Sequence, residues 1–517
     1  MRQNNNLRFR RQFLVTYEPL KTFTNWQHIK YKDKSFHIYA HPDLEMSVAY
    51  NNKKDILLTL LGFAIDPEYP NKSNKEITSE LANSIETVEG FSKRVIKLAG
   101  RFVFILSLSN NIYIYHDACG LRTVYYAYYN SKTYISSQPL LFSELFNLRP
   151  SEHYYTFNKS FHKLSDIEYW LPSGITLYEN IYHLIPNHYL DVTLAKQRRY
   201  WPDRPITERG LDESVQLAAD MLQKLMFSIN LRYDLAFPLT AGWDSRVLLA
   251  ASKKIVDVLY IFTLQYRKLT KKSSDIKIPI SMLNEMEIKH HLFDCKSGMD
   301  KEFYKLSKKN VDLAHDDWAK IAFGMFNKYP QDRICLKGNC SEIVRCFYYK
   351  YGQQVDICSP NKLATLVAGW NEIPFIVEQL DVWLEDVKKV CINSNINVLD
   401  LFYWEHRMGS WQAQSQLEWD IVQEVFSPFN YRPLLEIMLG TPVKYRKFPD
   451  YLLQQRIINY LWPALLKWPI NPLKKKGIFK EWFIKLLMRM GIYKQVRQVP
   501  EQYHTVKQFL RKMKYRQ

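Results

Sequence analysis

Residues 237–254 read FPLTAGWDSRVLLAASKK, and this stretch indicates how the second half of the chain folds. An apolar run ends in a short turn that contains Gly242, and a helical pattern follows the turn. Such a strand–turn–helix unit points backbone N–H groups and the positive end of the helix dipole at one place, where anions bind. Thr240 and Ser245 add hydroxyls, and Asp244 is suited to hold Mg²⁺ against phosphate oxygens. The turn predicts a polyphosphate site; an ordinary helix N-cap formed by Asp244 or Ser245 is the alternative.

The first 200 residues alternate apolar and polar residues between turns. A period of two predicts antiparallel strands, and the Asn110–Asn111 pair predicts a hairpin turn between two of them. Pro202 and Pro205 then interrupt helix and strand alike, which predicts a linker. The predicted strands cover 101–109, 112–115, 121–129, 133–137 and parts of 174–194.

After the linker, the pattern changes to helices that alternate with strands. This order predicts a parallel sheet with helices on its faces. Ser274 and Asp275 precede a further helix and are expected to cap it. The predicted helices cover 213–230, 246–253, 363–390 and 398–416, and the predicted strands cover 235–239 and 256–264.

Residues 239–246, LTAGWDSR, resemble the pyrophosphate loop of the ATP pyrophosphatases, Ser-Gly-Gly-x-Asp-Ser, and an Arg commonly follows that loop in the asparagine synthetase branch. Thr240 keeps the hydroxyl of the first Ser, and Ala241 replaces the first Gly. The resemblance implies that ATP binds here with Mg²⁺. The residues implied to contact the nucleotide are Leu239, Thr240, Ala241, Gly242, Asp244, Ser245 and Arg246.

A second stretch extends this resemblance. Residues 335–342, CLKGNCSE, are similar to the synthetase segment Ser-Gly-Glu-Gly-Ser-Asp-Glu. The similarity implies that Gly338 and Asn339 line the nucleotide site. It also implies that Glu342 holds Mg²⁺ together with Asp244, although Glu342 is one methylene longer than the family's Asp.

The catalytic groups that the resemblance implies lie further along the chain. Residues 424–430, EVFSPFN, resemble the family's Glu-Ala-Arg-Val-Pro-Phe-Leu, which implies that Glu424 is a catalytic-site residue. The family also uses a Lys ahead of an Ile-Leu-Arg helix; Lys447 and Arg456 are the candidates here, and solvated helix-end charges are the alternative for both. Thr263, which ends a predicted strand, is a candidate for the adenine pocket or a buried strand end.

The first part of the chain resembles the glutaminase domain of the same family. Residues 100–104, GRFVF, and 117–126, DACGLRTVYY, look like its Gly-x-Phe-Ala-Phe and Asp-x-x-Gly-x-x-Pro-Leu-Tyr-Tyr. That domain attacks glutamine with an N-terminal Cys, whereas Arg2 and Gln3 follow the initial Met here and the first cysteine is Cys119. We therefore expect no glutaminase activity, as in the β-lactam synthetases and lasso-peptide cyclases, whose architecture is similar.

The fold class expected from these features has three parts. An α+β glutamine amidotransferase-like domain, of the N-terminal nucleophile type, covers 1–200. An α/β ATP pyrophosphatase domain with a helical C-terminal part covers 206–470, and a basic helical extension covers 471–517.

The resemblance implies an asparagine synthase-like ligase, of which asparagine biosynthesis is the family example. ATP activates a small-molecule or peptide carboxylate as an acyl-adenylate, pyrophosphate leaves, and an amine or ammonia attacks. The alternatives are a catalytically inactive protein that kept the ATP-binding fold and a nucleic-acid-modifying ATP pyrophosphatase.

The charge of the chain is concentrated at its end. Between Lys474 and Gln517 there are 13 Lys or Arg against two Glu, which accounts for +11 of the formal net charge of +19. A helix that packs on the domain is one explanation, an anionic membrane surface is the next, and nucleic acid is the least favoured. Seven scattered cysteines indicate a reduced, cytoplasmic setting, and the apolar run 56–65 is too short to span a membrane.

Overall fold

A computed structural model describes residues 6–31, 36–161, 170–296, 298–312, 318–353 and 359–472 and arranges their strands in three sheets. Met1–Trp468 clusters as one compact unit and Pro469–Gln517 as another. The basic stretch over 474–517 lies outside the described residues, so its contacts with a membrane or with nucleic acid stay predictions. No helix in the described ranges is long and apolar enough to cross a membrane.

The strands are numbered in chain order. They are β1 Phe13–Thr16, β2 Gln27–Tyr31, β3 Phe36–Ala40, β4 Met46–Asn51, β5 Ile56–Ile65, β6 Ala99–Leu108, β7 Asn111–His116, β8 Tyr125–Tyr129, β9 Lys132–Ser136, β10 Ile181–His183, β11 His188–Asp191, β12 Lys196–Arg199, β13 Leu235–Pro238, β14 Tyr260–Gln265, β15 His291–Asp294, β16 Ile334–Leu336 and β17 Glu424–Phe426.

The helices are also numbered in chain order. They are α1 Asn74–Ser84, α2 Val88–Val95, α3 His153–Phe161, α4 Leu211–Asn230, α5 Trp243–Ala251, α6 Ser274–Glu285, α7 Lys301–Asn310, α8 Trp318–Phe326, α9 Pro360–Ala364, α10 Pro374–Ser394, α11 Val398–Phe402, α12 Ala413–Trp419, α13 Arg432–Leu439, α14 Val443–Arg446 and α15 Leu452–Leu461, with a π-helix over Tyr403–Gln412 between α11 and α12.

Two six-stranded antiparallel sheets pack face to face in the first part of the chain. Their strand orders are β10-β8-β9-β1-β3-β2 and β12-β11-β7-β6-β5-β4. Phe13 of the first sheet and Val103 of the second belong to one buried apolar cluster, so the core lies between the sheets. Helices α1 and α2 cover the outer face of the second sheet, where Phe91 packs near Phe104.

The apolar run 56–65 forms strand β5, between β4 and β6. Leu61 faces the core between the sheets, whereas Leu60 belongs to the cluster under the helices. Because both faces of β5 are buried, its sequence is apolar except for Thr59 and does not alternate.

The third sheet is parallel, as the alternation of helices and strands predicted. Its strand order is β15-β14-β13-β16-β17. The chain builds outward from β13 through β14 to β15 and then returns to place β16 on the other side of β13. The strand order therefore reverses between β13 and β16, and the crevice beyond the carboxyl ends of these two strands is where sheets of this kind bind ligands.

Several predicted boundaries were wrong for identifiable reasons. Helix α5 begins at Trp243, three residues before the predicted start. The strand predicted over 256–264 begins only at Tyr260, because residues 253–258 form a 3₁₀ turn. The helix predicted over 363–390 is interrupted before Pro374. Residues 121–124 are not in a strand because their loop wraps around the carboxylate of Asp117, which accepts the N–H groups of Leu121 and Arg122.

Candidate functional site

The turn at residue 240 connects β13 to α5 without a side-chain helix cap. Gly242 is the N-cap residue, and the first turn of α5 has no side-chain cap hydrogen bond among the described residues. The Ser245 hydroxyl instead lies 3.1 Å from that of Thr240. The alternative in which Asp244 or Ser245 caps the helix is therefore wrong, and the first N–H groups of α5 are left to other acceptors.

A carboxylate already contacts the backbone of this turn. The N–H of Ala241 donates to Oδ1 of Asp275 at 3.2 Å, and the N–H of Gly242 donates to the Thr240 hydroxyl at 3.2 Å. Asp275 was expected to cap helix α6, but the N-cap residue of α6 is Ser273. This contact shows that a backbone N–H of the turn can donate to a carboxylate.

The turn after β16 approaches the turn after β13 so closely that only glycine fits. A Cβ added to Gly338 would lie 2.7 Å from the Cβ of Asp244 and 3.0 Å from its carbonyl carbon. Cys340 then adopts a positive φ of 76°, and residues Ser341–Val344 form a 3₁₀ turn. Asn339 is held by two contacts: its amide donates to Gln412 and its carbonyl accepts the Ser427 hydroxyl.

Three charged side chains meet where these two turns touch. The Ser341 hydroxyl donates to Oδ1 of Asp244, and the Arg345 guanidinium donates to Oδ2 of Asp244 at 3.0 Å. The same guanidinium lies 3.6 Å from Oε1 of Glu342. We call Asp244, Ser341, Glu342 and Arg345 the charged centre.

Glu342 is the least compensated member of the charged centre. Its side chain is 21% exposed, and its Oε2 atom is buried and accepts no hydrogen bond from the described residues. Burial, followed by the neighbouring charge of Asp244, raises the pKa of Glu342 to about 7 from 4.5, and Arg345 opposes the shift. An additional cation near Glu342 would therefore stabilise its ionised form.

This donor set fits a hard divalent cation. Asp244 and Glu342 are carboxylates, which Mg²⁺ prefers, and the buried Oε2 of Glu342 has an unused acceptor site. Arg345 already neutralises part of this negative charge, because its guanidinium pairs with both carboxylates. Asp244 and Glu342 are thus the two side chains here that could hold Mg²⁺, and water and phosphate oxygens would have to complete its coordination.

A wall of aromatic rings and one arginine borders the charged centre, and the sequence did not reveal it. Tyr403, Arg407 and Trp411 lie four residues apart on the π-helix, where an ordinary α-helix was predicted. The Arg407 guanidinium lies 4.4 Å from the Trp411 ring centroid and 5.2 Å from that of Phe347. Phe347 and Tyr403 have ring centroids 4.7 Å apart. We call these four residues the aromatic wall.

Tyr451 also contacts the charged centre. The Arg345 guanidinium lies 5.5 Å from the Tyr451 ring centroid, and Tyr451 packs edge-on against Trp243 at 6.0 Å. The backbone carbonyl of Lys447, four residues earlier, accepts the N–H of Tyr451. Lys447 is half-buried, and its ammonium makes no hydrogen bond or ion pair with the described residues.

Other predicted residues support the turn instead of facing it. Leu239 and Ala241 are buried, and the hydroxyl of buried Thr263 donates to the carbonyl of Leu239 at 2.8 Å. The guanidinium of Arg246 donates to the carbonyls of Leu465 and Trp468, and burial lowers its pKa to about 10. These contacts fix the strand end and the helix behind the site.

Arg456 and Glu424 lie outside this group. Arg456 is 48% exposed and pairs with Asp212 on α4 at 2.7 Å. Glu424 is the first residue of β17, so it lies at the amino end of a parallel strand, whereas the charged centre lies beyond the carboxyl ends. The structure does not bring Arg456 or Glu424 into contact with Asp244.

Glu424 belongs instead to a buried ion network between the two parts of the chain. Arg122 donates to its Oε2 at 2.7 Å and Arg101 to its Oε1 at 3.0 Å, and Arg101 also makes a bidentate pair with Asp420. Burial raises the pKa of Glu424, but the charges of Arg122, Arg101 and Arg11 outweigh it and hold the pKa at about 2. Glu424 is ionised and fully engaged there.

Comparison with known proteins gives only distant similarities. No protein-family model and no curated protein matches the chain. The solved glutamine phosphoribosylpyrophosphate (PRPP) amidotransferase from B. subtilis, complexed with ADP and GMP, is 9% identical, with a TM-score of 0.23 over 73% of this chain and 75% of that chain. A structure described as the allosteric regulatory enzyme of purine biosynthesis is 11% identical, with a TM-score of 0.23 over 64% of this chain and 90% of that chain. Similarity at this level has no bearing on activity.

Proposed function

We propose that this chain is an ATP-dependent, AMP-forming ligase that adenylates a carboxylate and passes the acyl group to an amine or ammonia. The observation that carries the proposal is the charged centre. Two loops that are about 100 residues apart in sequence meet at the switch point of a parallel sheet and join Asp244, Ser341, Glu342 and Arg345 within hydrogen-bond or ion-pair distance.

The turn and the start of α5 would bind the phosphates. The first N–H groups of α5 have no side-chain cap, and Thr240 presents an exposed hydroxyl. A phosphate oxygen would replace the Asp275 carboxylate on the N–H of Ala241. Asp244 and Glu342 would hold Mg²⁺, which when bound neutralises phosphate charge.

The proposed reaction has two balanced steps. A carboxylate oxygen of the acid bonds to the α-phosphorus of ATP, the bond from that phosphorus to the bridging oxygen breaks, and pyrophosphate leaves with the electron pair. An amine nitrogen then bonds to the carbonyl carbon, AMP leaves, and the amine proton goes to solvent. Arg345 and the ammonium of Lys447, which makes no ion pair with the described residues, would compensate charge that moves onto the phosphates.

The exchange of labelled pyrophosphate into ATP tests the proposal. We expect exchange that requires Mg²⁺ and an added acid, and we expect Asp244→Asn to abolish it while the melting temperature stays close to that of the wild type. Asp220→Asn, an exposed carboxylate on α4, is the matched control and should retain full exchange. Exchange that persists in Asp244→Asn would refute the assignment of the charged centre.

One observation favours the inactive alternative. Both carboxylate oxygens of Asp244 and the N–H of Ala241 already have partners within the protein. A chain that kept this arrangement permanently would bind ATP weakly and without a Mg²⁺ requirement. Calorimetric titration with ATP, with and without Mg²⁺, separates this alternative from the ligase.

A further inference from the structure

A pocket lies where the end of α10, the start of α11 and the loop after α13 meet. It has a volume of about 500 Å³, which is in the range of small-molecule sites. Its lining residues lie within 206–208, 391–400 and 439–446, and none of them belongs to the charged centre. We call it the helix-end pocket.

Backbone hydrogen bonds hold the walls of the helix-end pocket together. The N–H of Ile206 donates to the carbonyl of Ser394 at 2.9 Å, and the N–H of Arg209 donates to the carbonyl of Gly440 at 3.0 Å. The two segments approach so closely at Gly440 that an added Cβ would lie 2.2 Å from the carbonyl oxygen of Thr207. These contacts fix the linker against both neighbouring segments, which lowers the ordering cost of binding a ligand.

One of the buried groups that line the pocket is a carboxylate with an unused oxygen. Asp400 is 2% exposed, and its Oδ2 accepts the Tyr349 hydroxyl at 2.6 Å and the Arg446 guanidinium at 3.1 Å. Its Oδ1 accepts no hydrogen bond from the described residues. Burial raises the pKa of Asp400, and the charge of Arg446 opposes that rise. A further donor that carries positive charge would stabilise the ionised carboxylate.

The other charges around the pocket favour the same kind of ligand. Arg446 already donates to the carbonyls of Thr441 and Val344. Because it also pairs with Asp400, little of its charge is left for a ligand. Glu208 is exposed, and its carboxylate makes no hydrogen bond or ion pair with the described residues. Two carboxylates therefore line the pocket together with one engaged guanidinium, which favours a cation over an anion.

The rim of the pocket adds apolar surface. Ile392 is 81% exposed although it is a large apolar side chain, and half-buried Pro442 and Val443 line the same pocket. A ligand that covers Ile392 would remove its apolar surface from water. A short hydrocarbon group beside a positive charge is therefore the chemistry that complements this lining.

We propose that the helix-end pocket is a binding site for a primary amine that carries a short apolar group. The ammonium donates to Oδ1 of Asp400 and lies near Glu208, and the hydrocarbon group packs against Ile392 and Val443. The site is separate from the charged centre, so this proposal goes beyond the ligase reaction and does not depend on it.

Calorimetric titration of the full chain with 3-methylbutylamine tests the proposal. The uncharged 3-methylbutanol and the anionic 3-methylbutanoate offer a similar hydrocarbon group without the ammonium. We expect the amine to bind at least about tenfold more tightly than either of them, because only the ammonium compensates the carboxylates.

Two exposed positions carry the mutational test, because a change at Asp400 would also break its buried ion pair. Ile392→Ala should weaken amine binding at least about threefold, and Glu208→Gln should weaken it about two- to fivefold. Val382→Ala, at a position 68% exposed on α10, and Glu372→Gln, at another exposed position, are the matched controls and should bind like the wild type.

Asp244→Asn distinguishes this site from the charged centre. It should bind 3-methylbutylamine like the wild type even where it abolishes pyrophosphate exchange, so a failure of the proposed ligase leaves this inference standing. Loss of amine binding in Asp244→Asn would overturn the inference. The absence of amine binding to the wild type, equal affinity for the alcohol, or wild-type affinity in both Ile392→Ala and Glu208→Gln would overturn it as well.

Discussion

At the scale of single residues, the charged centre combines two carboxylates with one guanidinium. Asp244 and Glu342 repel each other, and Arg345 compensates both at 3.0 and 3.6 Å. The sequence indicated both carboxylates through the family resemblance but gave no sign of Arg345. An arginine three residues past Glu342 has many orientations open to it, and only the fold decides which one it adopts.

Glu342 should make cation binding depend on pH. Its pKa rises from 4.5 to about 7 on folding, so its contribution to stability is present below the lower value and is lost as the pH rises through the higher one. A proton competes with Mg²⁺ for the same carboxylate, and we expect the affinity for Mg²⁺–ATP to increase between about pH 6 and about pH 8. Glu342→Gln should flatten this dependence in calorimetric titrations; an unchanged slope would exclude Glu342 as its origin.

Gly338→Ala should push the two turns of the site apart. The new Cβ would lie 2.7 Å from the Cβ of Asp244, so the loop must shift, and we expect a loss of about 1–3 kcal/mol in unfolding free energy together with weaker ATP binding. Gly210→Ala is the control, because a Cβ there meets nothing within 4 Å. Thermal unfolding and ATP titration of both variants measure the difference. Equal behaviour of the two variants would contradict the close approach.

At the scale of elements, the surroundings of strand β17 and the π-helix could not be predicted from the sequence. The family resemblance implied a catalytic role for Glu424, but its ion partners Arg101 and Arg122 lie 323 and 302 residues upstream. Short-range pattern cannot reveal such pairs. The π-helix was missed because its apolar spacing over ten residues differs too little from that of an α-helix. The parallel sheet was predicted because alternation of elements is a property of the local sequence.

Glu424→Gln tests whether this residue acts in the fold or in catalysis. Loss of its charge leaves Arg122 and Arg101 undercompensated in a buried setting, so we expect a destabilisation of about 3 kcal/mol. Glu372→Gln, at an exposed position, is the control and should have no effect on the melting temperature. A variant that keeps its melting temperature and loses pyrophosphate exchange would instead support the catalytic role that the family resemblance implies.

At the scale of the whole molecule, four of the buried histidines make the fold sensitive to acid. Burial lowers their pKa values well below the ordinary 6.5, so all four are neutral at pH 7. A lowered folded pKa means that the stability contribution is complete above about pH 6.5 and is lost as the pH falls. The four are His116 and His406, with pKa values of about 4, and His183 and His188, with values of about 3.

We expect the melting temperature to fall steeply between about pH 7 and about pH 5, because each such histidine costs up to about 1.4 kcal/mol per pH unit. His183→Phe should reduce the slope, since a Phe ring can keep the stacking against Tyr125 at 4.4 Å and does not titrate. His153→Gln, at a half-exposed position, is the control for surface titration. An identical slope in His183→Phe and the wild type would show that other groups cause the acid sensitivity.

The ion network that joins Arg101 and Arg122 to Asp420 and Glu424 bears on how such a chain evolves. Without the two antiparallel sheets, Asp420 and Glu424 would be left without their arginine partners. Without the parallel sheet, Arg101 and Arg122 would be left without their acidic partners. Neither half is then a freely exchangeable module.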